Sequence, residues 1–207
     1  MKWSQSDFQQ LERFYRGNLI NSVTGFKSLF LLGTCNPDGM ANLAVFTQVI
    51  HLGADPALLG ILFRPPMPGM HSLDNIRKTG WFTLNHVLAG EEEAAHLTSA
   101  RWEISEFEAT GLEAEYLEGI PAPFVKGRRV RMALQPLQEI PIEQNGTILL
   151  VAALNFLEVP DESLENDGFV SLIRAGSLAG SGLDGYAEVS GMKRFSYARP
   201  GEKPRLI

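Results

Sequence analysis

Cysteine is almost missing: Cys35 is alone among 207 residues, so no intramolecular disulfide can form. Its plain reading is a buried small hydrophobe rather than a nucleophile, since nothing nearby in the sequence favours a thiolate. The four histidines, His51, His71, His86 and His96, lack metal-ligand spacing, and no metal is expected. Long apolar runs are absent too. The longest, residues 57–63 and 147–156, fall short of the ~20 residues that cross a bilayer, so no membrane partner is expected. Positive charge is in deficit, with 18 Lys and Arg against 24 Asp and Glu and a net charge of −6. That argues against nucleic acid as a partner, because phosphate neutralisation dominates such binding. Met1-Lys2-Trp3-Ser4-Gln5 leads into polar sequence rather than an apolar signal core, and with one cysteine it predicts a cytoplasmic location. Standard fingerprints are also lacking: no G-x-G-x-x-G after a strand, no G-x-x-x-x-G-K-[ST], no G-x-S-x-G and no H-E-x-x-H.

What is present is globular. Hydrophobic residues make up 44% and charged residues 20% of the chain. A chain of this length buries roughly 70% of its unfolded surface, so one cored domain over residues 1–207 is the expectation. Ser6 with Gln9 forms a capping-box pattern, and Phe8, Leu11, Phe14 and Tyr15 recur at helical spacing up to Gly17. Residues 28–34, 41–52 and 57–63 are strand-rich, separated by the turn chemistry of residues 36–39 and 53–56, which predicts a three-strand meander. After the proline-rich break at 65–69, Ser72 can cap a helix to Lys78, with Gly80 stopping it before a strand at 81–87.

Residues 91–100 and 105–112 read as helices, with Glu91-Glu92-Glu93 complementing a helix dipole and Ser105 as an N-cap. Strands at 128–142 and 147–159 flank Asn145-Gly146, a strong hairpin signal, and Pro136 and Pro141 push the first arm toward a sheet edge. A last short strand is expected at 169–174, before glycines read as tight-turn residues at 176, 180, 182 and 185. Many strands, short antiparallel connections and no βαβ alternation give an α+β domain on a small antiparallel barrel with peripheral helices.

One stretch points to chemistry. Arg64, His71 and Ser72 surround a loop that feeds a helix start, where free N–H groups, a hydroxyl and cations suit a phosphate monoester. Ordinary capping by Ser72 is the alternative reading.

Taken in order, the segments resemble the flavin reductase-like family of FMN-binding split barrels of the flavoredoxin type. The carriers are Gly33-Thr34-Cys35-Asn36-Pro37-Asp38-Gly39 running into Ala41-Asn42-Leu43-Ala44-Val45-Phe46-Thr47, then His71-Ser72-Leu73-Asp74-Asn75-Ile76 with Phe82-Thr83-Leu84-Asn85. His96-Leu97-Thr98-Ser99-Ala100, Ser105-Glu106-Phe107-Glu108 and Ala122-Pro123-Phe124-Val125 extend the resemblance. Two departures stand out: Val45 where the family commonly has proline, and Ser177-Leu178-Ala179-Gly180 without the arginine of an R-L-G-G passage before Tyr186.

The resemblance implies an antiparallel split β-barrel that binds FMN. Arg64, His71 and Ser72 would anchor the phosphate, Val45, Phe46, Thr47 and Gln48 would meet the ring, and Asn85, His86 and His96 would shape the pocket. It implies an oxidoreductase in which NADH or NADPH reduces the flavin, which passes electrons to a small-molecule or protein acceptor, with no side chain acting as general acid or base. It also implies a homodimer. Trp81, Phe82, Trp102 and Phe124 are either covered by the second copy or part of the chain's own core. Three rivals remain: a non-catalytic FMN electron carrier, a split-barrel binding module without flavin, and an oxidase of the pyridoxal-phosphate type.

Overall fold

Two short N-terminal helices lead into the sheet, in a computed structural model that describes residues 1–127 and 129–207. Helix α1 (Gln5–Gln10) is capped by Ser4, whose backbone N–H donates to the Asp7 carboxylate at 2.6 Å. The cap is therefore Ser4 rather than Ser6. Glu12 then accepts from the N–H groups of Phe14 and Tyr15 and starts α2 (Arg13–Val23), so the helix runs through Gly17 instead of stopping there.

The strands that follow are β1 (Lys27–Ser28), β2 (Phe30–Cys35), β3 (Ala41–Phe46), β4 (Val49–Ala54) and β5 (Ala57–Phe63). Helix α3 (Ser72–Thr79), β6 (Phe82–His86), α4 (Glu92–Leu97) and α5 (Glu106–Thr110) come next. Then come β7 (Ala114–Leu117), β8 (Ile120–Val125), β9 (Arg131–Ile142) and β10 (Thr147–Glu158), a 3-10 turn at Asp161–Ser163, β11 (Ala179–Ser181) and β12 (Gly185–Ala187).

Seven strands make one antiparallel sheet in the order β3-β2-β6-β9-β10-β5-β4. Its two edges, β3 and β4, are consecutive in the chain and joined only by Thr47 and Gln48. Edges so tethered can meet only if the sheet curls on itself, and since β3 and β4 are not paired, the closed form is a split barrel. The expected single strand at 41–52 is thereby corrected: it breaks at Thr47-Gln48, where the chain leaves β2 as partner and takes up β5.

Strand β2 is buried on both faces, and its alternation assigns two cores. Phe30 and Leu32 point into the barrel with Ile61, Phe63, Phe82, Leu84, Leu134 and Leu150, and α3 contributes Leu73 and Ile76. Leu29 and Leu31 point outward, under the helical insert, with Leu43, Val87, Ala95, Phe107 and Leu178. Phe82 and Phe124 are fully buried, whereas Trp102 is exposed, so two of the four aromatics read as core or cover belong to the chain's own core.

Several expectations need correction. Residues 112–125 hold the β7–β8 hairpin, which Pro121 and Pro123 disguise. The first arm at Asn145-Gly146 is not an edge strand, because β9 lies between β6 and β10. Yet β6 covers only Arg131 to Leu134, so both prolines fall where β9 has one neighbour. Its expected start at 128 lies outside the described residues. Residues 169–174 form no long strand: Val170 makes an isolated bridge to Leu164, and turns follow. Gly176 and Gly182 do hold left-handed turns, at φ +68° and +64°, but Gly180 and Gly185 are strand residues.

Candidate functional site

Strand β3 is an edge, and half of that edge is already closed. Ser105 donates its hydroxyl to the Ala41 carbonyl at 2.8 Å, and the Leu43 N–H donates to the Glu106 carboxylate at 3.0 Å. Ser105 thus occupies the α5 N-cap position without capping the helix by its side chain. Because backbone groups alternate in direction along an antiparallel strand, the N–H and C=O of Val45 point the same way as those of Leu43, away from β2. No group among the described residues hydrogen-bonds to them. A flat polar rim could be read there by one donor and one acceptor.

The four residues expected along this shelf do not all face it. Val45 packs its side chain on the outer core, as Tyr186 does. The Phe46 ring lies inside the barrel, 5.2 Å from Phe63 between centroids. Thr47 and Gln48 line a cavity of about 370 Å³ with Asn21, Thr24, Lys27 and Ile50. Gly180 has no side chain for good reason, since a Cβ there would come 2.8 Å from the Thr47 methyl.

The helix start is tied to this strand by a buried polar bracket. Asn42 Nδ2 donates to Thr34 Oγ1 and to Ser72 Oγ, each at 3.2 Å, and Asn75 Nδ2 donates to Thr34 Oγ1 at 3.1 Å. The N-cap of α3 is therefore His71, not Ser72. Ser72 sits in the first turn with its oxygen accepting from Asn42, which leaves its hydroxyl proton free to donate outward. Arg64 and His71 are exposed, and Arg64 has no ion-pair partner among the described residues. Arg77, by contrast, is neutralised by Glu139 at 2.6 Å and Asp74 at 3.4 Å. An unpaired guanidinium, a free hydroxyl and helix N–H groups at a first turn are the donor types that an anion would call for.

His96 flanks the strand from the outer side. Its Nδ1 lies 3.1 Å from the Tyr186 hydroxyl, and burial, followed by the charge of Asp184, raises the Tyr186 pKa. Asn85 and His86 do not join the group. Asn85 is fully buried, with Nδ2 donating to the Leu31 carbonyl and Thr83 Oγ1 while Oδ1 accepts from the Val125 N–H. It fastens β6 to β2 and β8, and its full burial keeps it out of a ligand's reach. His86 faces a second cavity. The bracket of Thr34, Asn42 and Asn75 and the edge cover from Ser105 and Glu106 are what sequence reasoning missed, although all five stand within or beside the quoted motifs.

Cys35 is buried, donates to the Pro121 carbonyl at 3.2 Å, and has its thiol pKa pushed up by burial, as its plain reading requires. Burial also lowers the His86 pKa from 6.5 to about 4. The folded chain then holds a neutral imidazole where the unfolded chain takes a proton, so this residue's stabilisation is complete above pH 6.5 and falls away toward pH 4. Denaturant unfolding of the parent and His86→Leu should show the parent losing about 2 to 3 kcal/mol more than the variant between about pH 7 and about pH 4.5. Parallel pH profiles would contradict a buried neutral histidine.

Comparison with known proteins gives a coherent picture. Residues 24–172 match the family model described as flavin reductase like domain. A solved structure from Shewanella frigidimarina, provisionally named a flavin reductase with a split barrel domain, is 40% identical and superposes with a TM-score of 0.91 over 96% of this chain and all of its own. The flavoredoxin of Desulfovibrio vulgaris is similar in fold, at 17% identity and a TM-score of 0.71 over 97% of this chain and 98% of its own. So is an FMN-binding protein from Thermus thermophilus, at 14% identity and a TM-score of 0.67 over 84% and 91% of the two chains. No curated protein sequence matches.

Proposed function

From the premise that this chain belongs to the flavin reductase-like domain family, we propose that it binds FMN along the open edge of β3 and works as an NAD(P)H-dependent flavin oxidoreductase. The observation that carries this is the juxtaposition of two unlike sites by one hydrogen bond, Asn42 to Ser72. On one side are the unclaimed N–H and C=O of Val45, suited to the polar rim of an isoalloxazine. On the other are Ser72, His71 and Arg64, suited to a terminal phosphate.

When bound, the flavin supplies the two-electron redox chemistry. The chain's residues bind and orient it. Val45 offers a donor and an acceptor from a rigid strand, Thr47 and Gln48 border the adjoining space, and the His96–Tyr186 pair holds the outer wall. No side chain in the group is needed as an acid or base. NADH or NADPH is the electron donor, and a small molecule or a protein takes the electrons onward. An electron carrier without turnover would show the same bound flavin and negligible oxidation of either nicotinamide in a steady-state assay.

FMN released by heating should be found in the supernatant of purified protein, and stripped protein should quench added FMN fluorescence. Arg64→Ala should cost FMN about 1.5–3 kcal/mol of affinity and riboflavin nothing, because only FMN carries the phosphate. Lys203→Ala, near the C-terminus, should change neither. Equal weakening of FMN and riboflavin would remove Arg64 from the phosphate site, and colourless protein that quenches no FMN would end the flavin reading.

The acting unit is a homodimer. Helix α2 buries none of its residues, and Phe14, Val23 and Phe26 are each more than 70% exposed along and just beyond it. An apolar surface of that kind on a soluble chain marks an interface, and the second copy is the partner always at hand. Light scattering should give about twice the chain mass of 22.8 kDa. A monomer at micromolar concentration would refute it.

A further inference from the structure

A second cavity, of about 420 Å³, opens at the barrel end beyond β6, and the proposed flavin site makes no use of it. Its walls are apolar, with Phe26, Phe169, Leu172, Ile173 and Met192 among them. Its floor is not. His86 and Ser177 line it at 4% and 6% exposure, and among the described residues His86 Nδ1 and Ser177 Oγ have no hydrogen-bond partner. Leaving a buried polar atom unpaired is costly, so two on the wall of one cavity call for a physical account.

The backbone shows why both reach the same space. Past β6 the chain runs antiparallel to residues 177–179: the Leu178 N–H donates to the Val87 carbonyl at 2.9 Å, and Leu88 bridges Ser177. Val87 and Leu178 share one face, and both belong to the outer core. His86 and Ser177, each one position away, therefore fall together on the opposite face as diagonal neighbours. Phe30 backs the imidazole, with ring centroids 4.3 Å apart.

The chemistry of the lining narrows the occupant. No carboxylate lines the cavity, and the ammonium of Lys27 is directed to the Asn21 carbonyl at 2.8 Å. The imidazole is neutral, so it offers one donor and one acceptor nitrogen. A hydroxyl, which both gives and accepts a hydrogen bond, can satisfy the imidazole and the serine at once. Aromatic and sulfur-bearing walls favour a flat ring, and a volume of this size lies in the range of small-molecule sites. We infer that this cavity binds a neutral one- or two-ring aromatic molecule bearing a hydroxyl group, the ring against the apolar walls and the hydroxyl on His86 and Ser177.

The test uses uniformly nitrogen-15-labelled full-length protein titrated with p-cresol, read by long-range proton–nitrogen correlation of the histidine rings. The His86 ring nitrogens should shift saturably with a dissociation constant below about 1 mM, while those of His51, His71 and His96 stay in place. Toluene, lacking the hydroxyl, should bind about tenfold more weakly, and Ser177→Ala should weaken p-cresol about three- to tenfold. FMN binding by Ser177→Ala should match the parent, which separates failure here from failure of the flavin reading. The inference is overturned by an unmoved His86 at saturating p-cresol. It is also overturned by tighter binding of benzoate, which would make this an anion site held by Lys27. His86 signals that respond to dilution but not to p-cresol would overturn it as well, since a second copy would then fill the cavity.

Discussion

Alanine in place of Gly33 is expected to destabilise the fold by about 3–5 kcal/mol, read as a lower urea midpoint with an unchanged slope. Gly33 sits mid-β2, where a Cβ would be driven into the Pro123 carbonyl oxygen and come within 2.6 Å of Thr83 Oγ1. Neither neighbour is free to move. Thr83 donates its hydroxyl to that same carbonyl at 2.5 Å and also accepts from Asn85, whose other bonds run to β2 and β8. The methyl must therefore either push β8 off the barrel or break a fully buried bond. Both costs fall on the strand that supports β3, so flavin affinity should weaken along with stability. A loss under about 1 kcal/mol would mean that β8 yields easily, contrary to this packing.

Glu91→Ala should have an effect of similar size, about 3–5 kcal/mol. The sequence reads Glu91 as one of three acids at a helix start, and it does occupy the N-cap position of α4. Its carboxylate, however, grips Arg129 in two parallel bonds of 2.7 and 2.8 Å, and accepts the Leu88 N–H at 3.0 Å. The Arg129 side chain is 3% exposed, and its guanidinium also donates to the carbonyls of His86 and Lys126. Removing the acid strands a buried cation, which costs far more than losing a surface pair. Glu91→Gln should fall between parent and alanine, because it keeps an acceptor for Leu88. The double change Glu91→Leu with Arg129→Met should recover part of the loss. If the double variant is no better than Glu91→Ala, the stranded charge is not the cause.

How far the sequence carries depends on whether a feature is local. The turns at residues 36–39 and 145–146 announce their hairpins, and Gly80, at φ +73°, ends α3 where a left-handed residue is required. The break at Thr47-Gln48 goes unread, because two polar residues without Gly, Pro, Asn or Asp carry no turn chemistry and only barrel closure demands a corner. Phe169, Val170, Leu172 and Ile173 have strand composition, yet they form only an isolated bridge at Val170 and a turn at Leu172 and Ile173, and wall the second cavity. The same division holds at the site. That Arg64 and His71 precede a helix start at Ser72 is legible because all three lie within a few residues of one another. Asn85 and His86 lie apart from that group because their places follow from sheet register, which sends adjacent residues to opposite faces.

The far half of β9 has a consequence for the chain among its copies. Beyond Leu134 this strand has β10 on one side only, and it exposes Leu137 and Ile140. A long apolar edge of that kind invites another molecule's strand to continue the sheet. Pro136 and Pro141 withdraw two backbone donors from it, and the Arg77–Glu139 pair sets a helix-borne charge along its length. The hairpin can therefore project from the barrel without recruiting a neighbour: its edge is guarded by four side chains, Pro136, Pro141, Arg77 and Glu139, that contribute little to the core.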